Sequence, residues 1–187
     1  MPKRIAAMVA ATVVMLAAGC GGEDPAASWV APPPSPAEPA APDRPERITS
    51  ACGLLSAATV IDMLGGNEQT KLSSKELPAE KSENGNIWRH CAYGRDGKQP
   101  FALSVATMPD RADTVEQTLD AVAKAGEQPE RVDGLGAGAL TYLEGGGRSV
   151  MAVVPYEKEL RIVQFTAPAM VPQDKLADTV RQVLTKV

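Results

Sequence analysis

The chain has 187 residues, of which 19 are basic and 23 acidic, so its formal net charge at neutral pH is −4. Apolar residues make up 44% and charged residues 22% of the chain, which is close to the globular average and excludes a wholly disordered protein. The acidic balance argues against a nucleic-acid partner, because phosphate binding needs a concentrated basic surface.

Residues 1–19 have the pattern of a secretory signal peptide. Two basic residues are followed by 14 uncharged, mostly apolar residues at positions 5–18. That length fits a signal peptide and is too short to span a bilayer comfortably. The stretch ends in the sequence LAAGC at residues 16–20, which resembles the lipobox of bacterial lipoproteins.

The lipobox resemblance implies that Cys20 is acylated on its sulfur and becomes the first residue of the mature chain. The mature chain then keeps 17 basic and 23 acidic residues, a net charge of −6. Two or three acyl chains anchor a protein stably, whereas one chain binds only marginally. We therefore expect a protein held on the extracytoplasmic face of the cell membrane. The alternative is an ordinary secretory signal with a chance cysteine.

Residues 20–47 are expected to form an extended tether that begins at the lipidated cysteine. Eight of the 16 prolines lie between residues 21 and 47, interleaved with alanine and acidic residues. Proline fixes φ and removes a backbone donor, so the segment favours polyproline conformations over helices and strands. The proline run at residues 32–36 could alternatively be an SH3-type ligand, but a bacterial envelope location favours a spacer.

Residues 48–187 are expected to form one domain that contains three helices. Ser56 is placed to cap the first helix, Asp113 with a glutamate three residues later resembles a capping box for the second, and Pro172 opens the third. Apolar residues recur at helical spacing in the second and third helices. The predicted spans are 57–64, 113–126 and 172–187.

The predicted helices alternate with segments that have the pattern of strands. Residues 101–106 alternate between large and small side chains, which is typical of a half-buried strand. Short links between neighbouring strands favour antiparallel pairing. We therefore predict an α+β fold, with a largely antiparallel sheet of about five strands and helices packed on one face. Residues 66–86 read as a long polar loop, and Glu157 and Glu159 as solvated residues at a hairpin turn. The predicted strands are 87–93, 101–106, 138–144, 149–154 and 160–167.

Cys52 and Cys91 remain as a pair if Cys20 is acylated. In an exported, oxidising setting they are expected to form a disulfide that closes a loop of about 40 residues. The alternatives are a reactive thiol or a metal site with His90 as a third ligand. Neighbours along a strand point to opposite faces, so His90 and Cys91 do not easily converge on one ion.

Three short motifs carry a resemblance to a known family. The chain has CGLLS at residues 52–56, WRHCAY at residues 88–93 and VDGLG at residues 132–136. Together they resemble the DUF3558 family of actinobacterial lipoproteins. The resemblance implies a lipid-anchored extracytoplasmic domain. It supplies no established activity and no catalytic residue.

The remaining motifs give no chemistry of their own. The glycine-rich run at residues 134–139 superficially matches a dinucleotide fingerprint, but a loop precedes it and a strand follows, so we expect a tight turn. His90 has no recognisable nucleophile motif near it. Trp88 and Tyr93 are expected to pack in the core or at its rim, with a sugar-stacking platform as the alternative.

These observations favour a binding module over an enzyme. We expect a membrane-anchored lipoprotein whose domain binds another envelope protein, in a sensing or accessory role. The alternative is a carrier of a small or lipidic ligand, with an apolar pocket between the helices and the sheet. We expect no catalytic residues, no metal, no cofactor and no nucleic-acid partner.

Overall fold

The computed structural model describes residues 47–67 and 69–187. The predicted signal peptide, Cys20 and all but the last residue of the predicted tether lie outside the described residues. Within the described part, the helices are α1 Ala57–Met63, α2 Val115–Ala125 and α3 Gln173–Leu184. The strands are β1 Ser73–Glu76, β2 Glu80–Lys81, β3 Ile87–Arg95, β4 Lys98–Pro109, β5 Glu127–Arg131, β6 Gly138–Glu144, β7 Gly147–Pro155 and β8 Glu159–Pro168.

The strands form one antiparallel sheet in the order β1-β3-β4-β8-β7-β6-β5, with β2 also pairing with β3. The predicted α+β class and antiparallel sheet are confirmed, but the expected number of strands was wrong, since eight are described. The three additional strands, β1, β2 and β5, have only exposed residues. An exposed edge strand has no buried face, so it leaves no alternation of apolar residues in the sequence.

Helices cover both faces of the sheet, so the prediction of helices on one face was wrong. Helices α1 and α3 pack on the first face, over a cluster that includes Leu103, Val163 and Phe165. Helix α2 packs on the second face, over a cluster that includes Met151 and Ile162. The central strands are therefore apolar at both odd and even positions, the pattern of strands buried on two sides.

The helix boundaries agree with the predicted spans to within a few residues. Ser56 caps α1, and its hydroxyl accepts a hydrogen bond from the Thr59 amide at 3.1 Å. The capping box predicted at Asp113 does not form, because α2 begins after Thr114 and no side chain caps it. Glu116 instead pairs with Arg131 at 2.8 Å. Within the described residues, no helix is both long and apolar enough to cross a membrane.

The glycine-rich run between β5 and β6 is the tight turn that the sequence predicted. Gly134 and Gly136 have φ values of 72° and 57°, which favour glycine. A Cβ atom at Gly136 would lie 2.4 Å from the carbonyl oxygen of Val153. The chain therefore needs these glycines to turn closely against β7, and the turn leads into a strand, where a dinucleotide site needs a helix.

Candidate functional site

Cys52 and Cys91 form the predicted disulfide, with their Cα atoms 5.0 Å apart. Cys91 is buried in β3, and Cys52 lies five residues before α1. His90 projects to the other sheet face, where its Nδ1 lies 2.8 Å from the Ser104 hydroxyl. The bridge joins the start of the described domain to β3, the second strand in the order of the sheet.

Glu76 on β1 reinforces the same connection. Its carboxylate accepts hydrogen bonds from the Ala51 amide at 2.8 Å, the Cys52 amide at 2.8 Å and the Ser50 hydroxyl at 2.7 Å. One carboxylate oxygen also lies within 4.8 Å of both cysteine sulfurs. The two sulfurs are bonded to each other, and the carboxylate oxygens accept hydrogen bonds from residues 50–52. We call Cys52, Cys91 and Glu76 together the N-terminal clasp.

The hydrogen bonds of the clasp also determine the charge state of Glu76. Glu76 is largely exposed, but the loss of water around part of its carboxyl would on its own raise the pKa of this group. The bonds donated by Cys52, Ser50 and Ala51, together with the nearby positive charge of Arg89, outweigh burial and lower the pKa below its ordinary value. Glu76 is therefore ionised at neutral pH and accepts charge-assisted hydrogen bonds.

The second face of the sheet carries an open groove beside α2. Helix α2 contacts β5, β6 and β7, so much of the face formed by β3, β4 and β8 is left without a helix over it. The space between the helix and this uncovered face has a volume of about 450 Å³. We call it the α2 groove. Its lining includes the apolar residues Trp88, Met108, Val122 and Ile162 and the polar residues Asn86, Gln117 and Gln164.

Trp88 and His90 lie on β3, at one side of this uncovered face. Their rings are parallel to within 2° and their centroids lie 6.1 Å apart. Both side chains are half-buried, because β1 and β2 flank β3 on the outside while no helix covers the rings. Trp88 thus offers an accessible aromatic surface in the groove, whereas Tyr93 is fully buried and donates its hydroxyl to the Leu55 carbonyl at 2.7 Å. The sequence grouped these two aromatic residues, and the structure places them on opposite faces.

A row of polar side chains continues from His90 across the sheet. Ser104 lies opposite His90 in one strand pair and opposite Gln164 in the next. The Gln164 amide nitrogen lies 3.4 Å from the hydroxyls of Ser149 and Thr166. The floor of the uncovered face is therefore polar and hydrogen-bonded beyond the apolar part of the α2 groove.

The structure brings together a carboxylate, a histidine and a serine that the sequence analysis did not connect. Glu80 lies 4.0 Å from the Nε2 atom of His90, and Ser104 lies at its Nδ1 atom. Hydrolysis by such a set also needs free backbone amides that stabilise an oxyanion. Ser104 is in the middle of β4, paired with strands on both sides. We therefore interpret the set as part of the polar floor, and the expectation of a non-enzymatic protein stays a prediction.

One acceptor in the groove wall lacks a hydrogen bond. The Oδ1 atom of Asn86 is buried and has no partner among the described residues. Buried polar atoms are satisfied in most native structures. A donor from a bound ligand or an ordered water molecule would complete this position.

No family model matches the chain, and no curated protein is significantly similar to it. Among solved structures, the chain is similar to an NMR structure of a protein from Streptococcus pneumoniae TIGR4, at 16% sequence identity and a TM-score of 0.31. The match covers 79% of this chain and 84% of the other.

Proposed function

We propose that the domain is an extracytoplasmic binding module that takes a small ligand of mixed polarity in the α2 groove. The observation that supports this proposal is the groove itself, at about 450 Å³. Ligand sites in proteins typically have volumes of about 300–1,000 Å³. The sequence analysis gave such a space between helix and sheet as the feature that favours a small-ligand carrier over a protein-binding module.

The lining of the groove indicates the chemistry of the ligand. Trp88, Met108 and Ile162 offer apolar contact, while Asn86 and Gln164 offer neutral hydrogen-bonding groups. Aromatic and thioether side chains contact apolar or flat surfaces favourably. The amides bind neutral polar groups such as hydroxyls and amides. Arg111 is the one charged side chain in the lining. The expected ligand therefore has an apolar body and polar substituents that are mostly neutral.

The cellular setting of this module is part of the proposal. The lipobox-like sequence at residues 16–20 and the resemblance to the DUF3558 family support lipid attachment at Cys20 on the extracytoplasmic face of the cell membrane. A disulfide between Cys52 and Cys91 suits an exported domain, because such bridges persist in oxidising compartments. A module anchored in this way would bind its ligand close to the membrane surface.

The test uses N-phenyl-1-naphthylamine, an uncharged apolar fluorophore whose emission rises in apolar sites. We expect saturable binding to the wild-type chain, and an increase in Kd of about tenfold or more for Ala121→Arg, because a long charged side chain would fill the groove. Ala125→Arg is the matched control. Both alanines are exposed on α2, but only Ala121 lines the groove.

The outcomes separate the candidate functions. Binding that Ala121→Arg removes and Ala125→Arg retains supports a small-ligand site. The proposal is wrong if the probe does not bind saturably, or if both variants weaken binding equally. If the probe does not bind and Ala121→Arg instead abolishes capture of another envelope protein, the protein-binding module of the sequence analysis is favoured.

A further inference from the structure

The first face of the sheet carries a second depression, beside the N-terminal end of β3. It has a volume of about 520 Å³ and lies where β3 and β8 begin and β4 ends. Ile87, Thr107 and Arg161 lie side by side across these three strands in the strand register. Arg47 and Ile48, at the start of the described chain, form part of its wall. We call this depression the basic cleft.

The basic cleft has an excess of positive charge in a protein that is acidic overall. Three arginines, Arg47, Arg89 and Arg161, and one acid, Glu159, line it, whereas the whole chain has a net charge of −4. Arg161 and Glu159 are both buried and bonded to each other, with the Arg161 Nε atom 2.6 Å from a Glu159 carboxylate oxygen. This pair is neutral, so the excess charge belongs to Arg89 and Arg47.

Arg89 carries one of the two excess positive charges of the cleft. Arg89 is half-buried on β3, and its charge also acts on Glu76 of the N-terminal clasp. Within residues 47–67 and 69–187, its guanidinium group is in no hydrogen bond or close ion pair. In the strand register it lies next to Ile87, diagonally across from Thr107. Thr107 separates Arg89 from Arg161 on the sheet surface. A ligand seated over Thr107 would therefore have a guanidinium group on each side.

We propose that the basic cleft binds a phosphate group, with Arg89 and Arg47 as its principal cationic contacts. A guanidinium group forms paired, charge-assisted hydrogen bonds with phosphate oxygens. The partial burial of Arg89 reduces screening by solvent and salt, so its interaction with phosphate is stronger than on an open surface. The phosphate would belong either to a lipid headgroup or to a soluble phosphorylated molecule. This site is on the opposite face from the α2 groove and is independent of it.

The experiment titrates the full chain with inorganic phosphate and follows backbone amide shifts by NMR. We expect saturable shifts at Arg89 and Thr107 with a Kd in the millimolar range. Arg89→Gln should weaken binding about tenfold, since it removes one charge-assisted contact. Arg95→Gln is the matched control, because it makes the same charge change at the far end of β3, where Arg95 is exposed and paired with Asp96 at 3.0 Å.

A second variant protects the test against a folding defect. Arg47→Gln changes an exposed residue outside every helix and strand, so it should leave the fold intact and still weaken phosphate binding several-fold. Vesicles of phosphatidylglycerol, compared with vesicles of phosphatidylcholine, then identify the source of the phosphate. Sedimentation with phosphatidylglycerol that depends on Arg89 supports a lipid headgroup. Binding of inorganic phosphate without vesicle binding supports a soluble ligand.

Two results would overturn the proposal. One is the absence of saturable shifts with phosphate together with the absence of binding to phosphatidylglycerol. The other is an equal loss of binding in Arg89→Gln and Arg95→Gln, which would show a general charge effect with no defined site.

Discussion

Removing the disulfide of the N-terminal clasp should destabilise the domain by several kcal/mol. Cys52 and Cys91 are 39 positions apart, so the bridge closes a loop of about 40 residues in the unfolded chain. In the chain-entropy model, such a loop contributes about 4 kcal/mol to the free energy of unfolding at room temperature. The hydrogen bonds of Glu76 remain in the reduced protein. They stabilise only the folded state, so they do not replace the constraint that the disulfide places on the unfolded chain.

Two ways of breaking the bridge separate its contributions. Chemical reduction leaves both sulfurs in place, so it should remove only the loop constraint. The double variant Cys52→Ala with Cys91→Ala also removes a fully buried sulfur at Cys91, and the small cavity should add about 1 kcal/mol. We therefore expect the order of stability to be oxidised, then reduced, then double variant.

Urea unfolding followed by circular dichroism measures these differences. With a urea m-value of about 2 kcal/mol/M, a loss of about 4 kcal/mol shifts the midpoint by about 2 M. Every sample carries Cys20→Ser, so that thiol counts concern only Cys52 and Cys91. The reasoning is refuted if reduced and oxidised proteins unfold at the same urea concentration, or if the native, unreduced protein reacts with two equivalents of a thiol reagent.

Four further predictions concern other parts of the chain. Glu76→Gln should lower stability by about 1–2 kcal/mol at neutral pH; because the folded-state pKa of Glu76 is lowered, the difference in Tm from wild type should be full above its ordinary pKa of 4.5 and shrink as the pH falls below it. Leu119→Ala should cost about 2–4 kcal/mol in urea unfolding, since Leu119 is the fully buried residue by which α2 packs on the sheet; a loss under about 1 kcal/mol would contradict this packing. Cys20→Ser should abolish incorporation of labelled fatty acid, and persistent labelling would disprove lipidation at Cys20. Residues 48–187 expressed alone should melt cooperatively, and loss of that transition would show that the predicted tether belongs to the core.

Much of the fold was predictable, because its central elements leave local patterns. Ser56 at the start of α1 and the apolar spacing of α2 and α3 are short-range signals, and each helix was found. The core strands β4, β7 and β8 were also found, since they are rich in apolar residues. The edge strands β1, β2 and β5 were missed because all of their residues are exposed, so they leave no alternation of apolar residues in the sequence.

The predicted exposure of single residues was less accurate than the predicted helices and strands. Glu159 was expected to be solvated, yet it is buried and bonded to Arg161. A signal was present, because Glu159 and Arg161 have the same parity in β8 as the buried Val163 and Phe165. An isolated charged residue near a turn is usually exposed, and that expectation hid the pair.

Of the candidate sites, one was predictable from the sequence and two were not. The disulfide was predictable from the number of cysteines and the inferred compartment. The α2 groove was not, because Trp88, Val122 and Ile162 meet only after β3, β4 and β8 pair and α2 crosses to the far edge of the sheet. The basic cleft likewise joins Arg47, Arg89 and Arg161, which no sequence motif connects.

The form of β5 limits how copies of this protein can meet at high local concentration. Pro129 has no backbone amide, Gln128 has a positive φ of 50°, and the register with β6 shifts between Glu127 and Glu130. An edge interrupted in this way is a poor template for an added strand, and such interruptions protect natural sheets from edge-to-edge aggregation. At the other edge, β1 offers only four residues, including Lys75 and Glu76. Neighbouring copies should therefore stay separate along their sheet edges, and contacts between molecules should use the two faces.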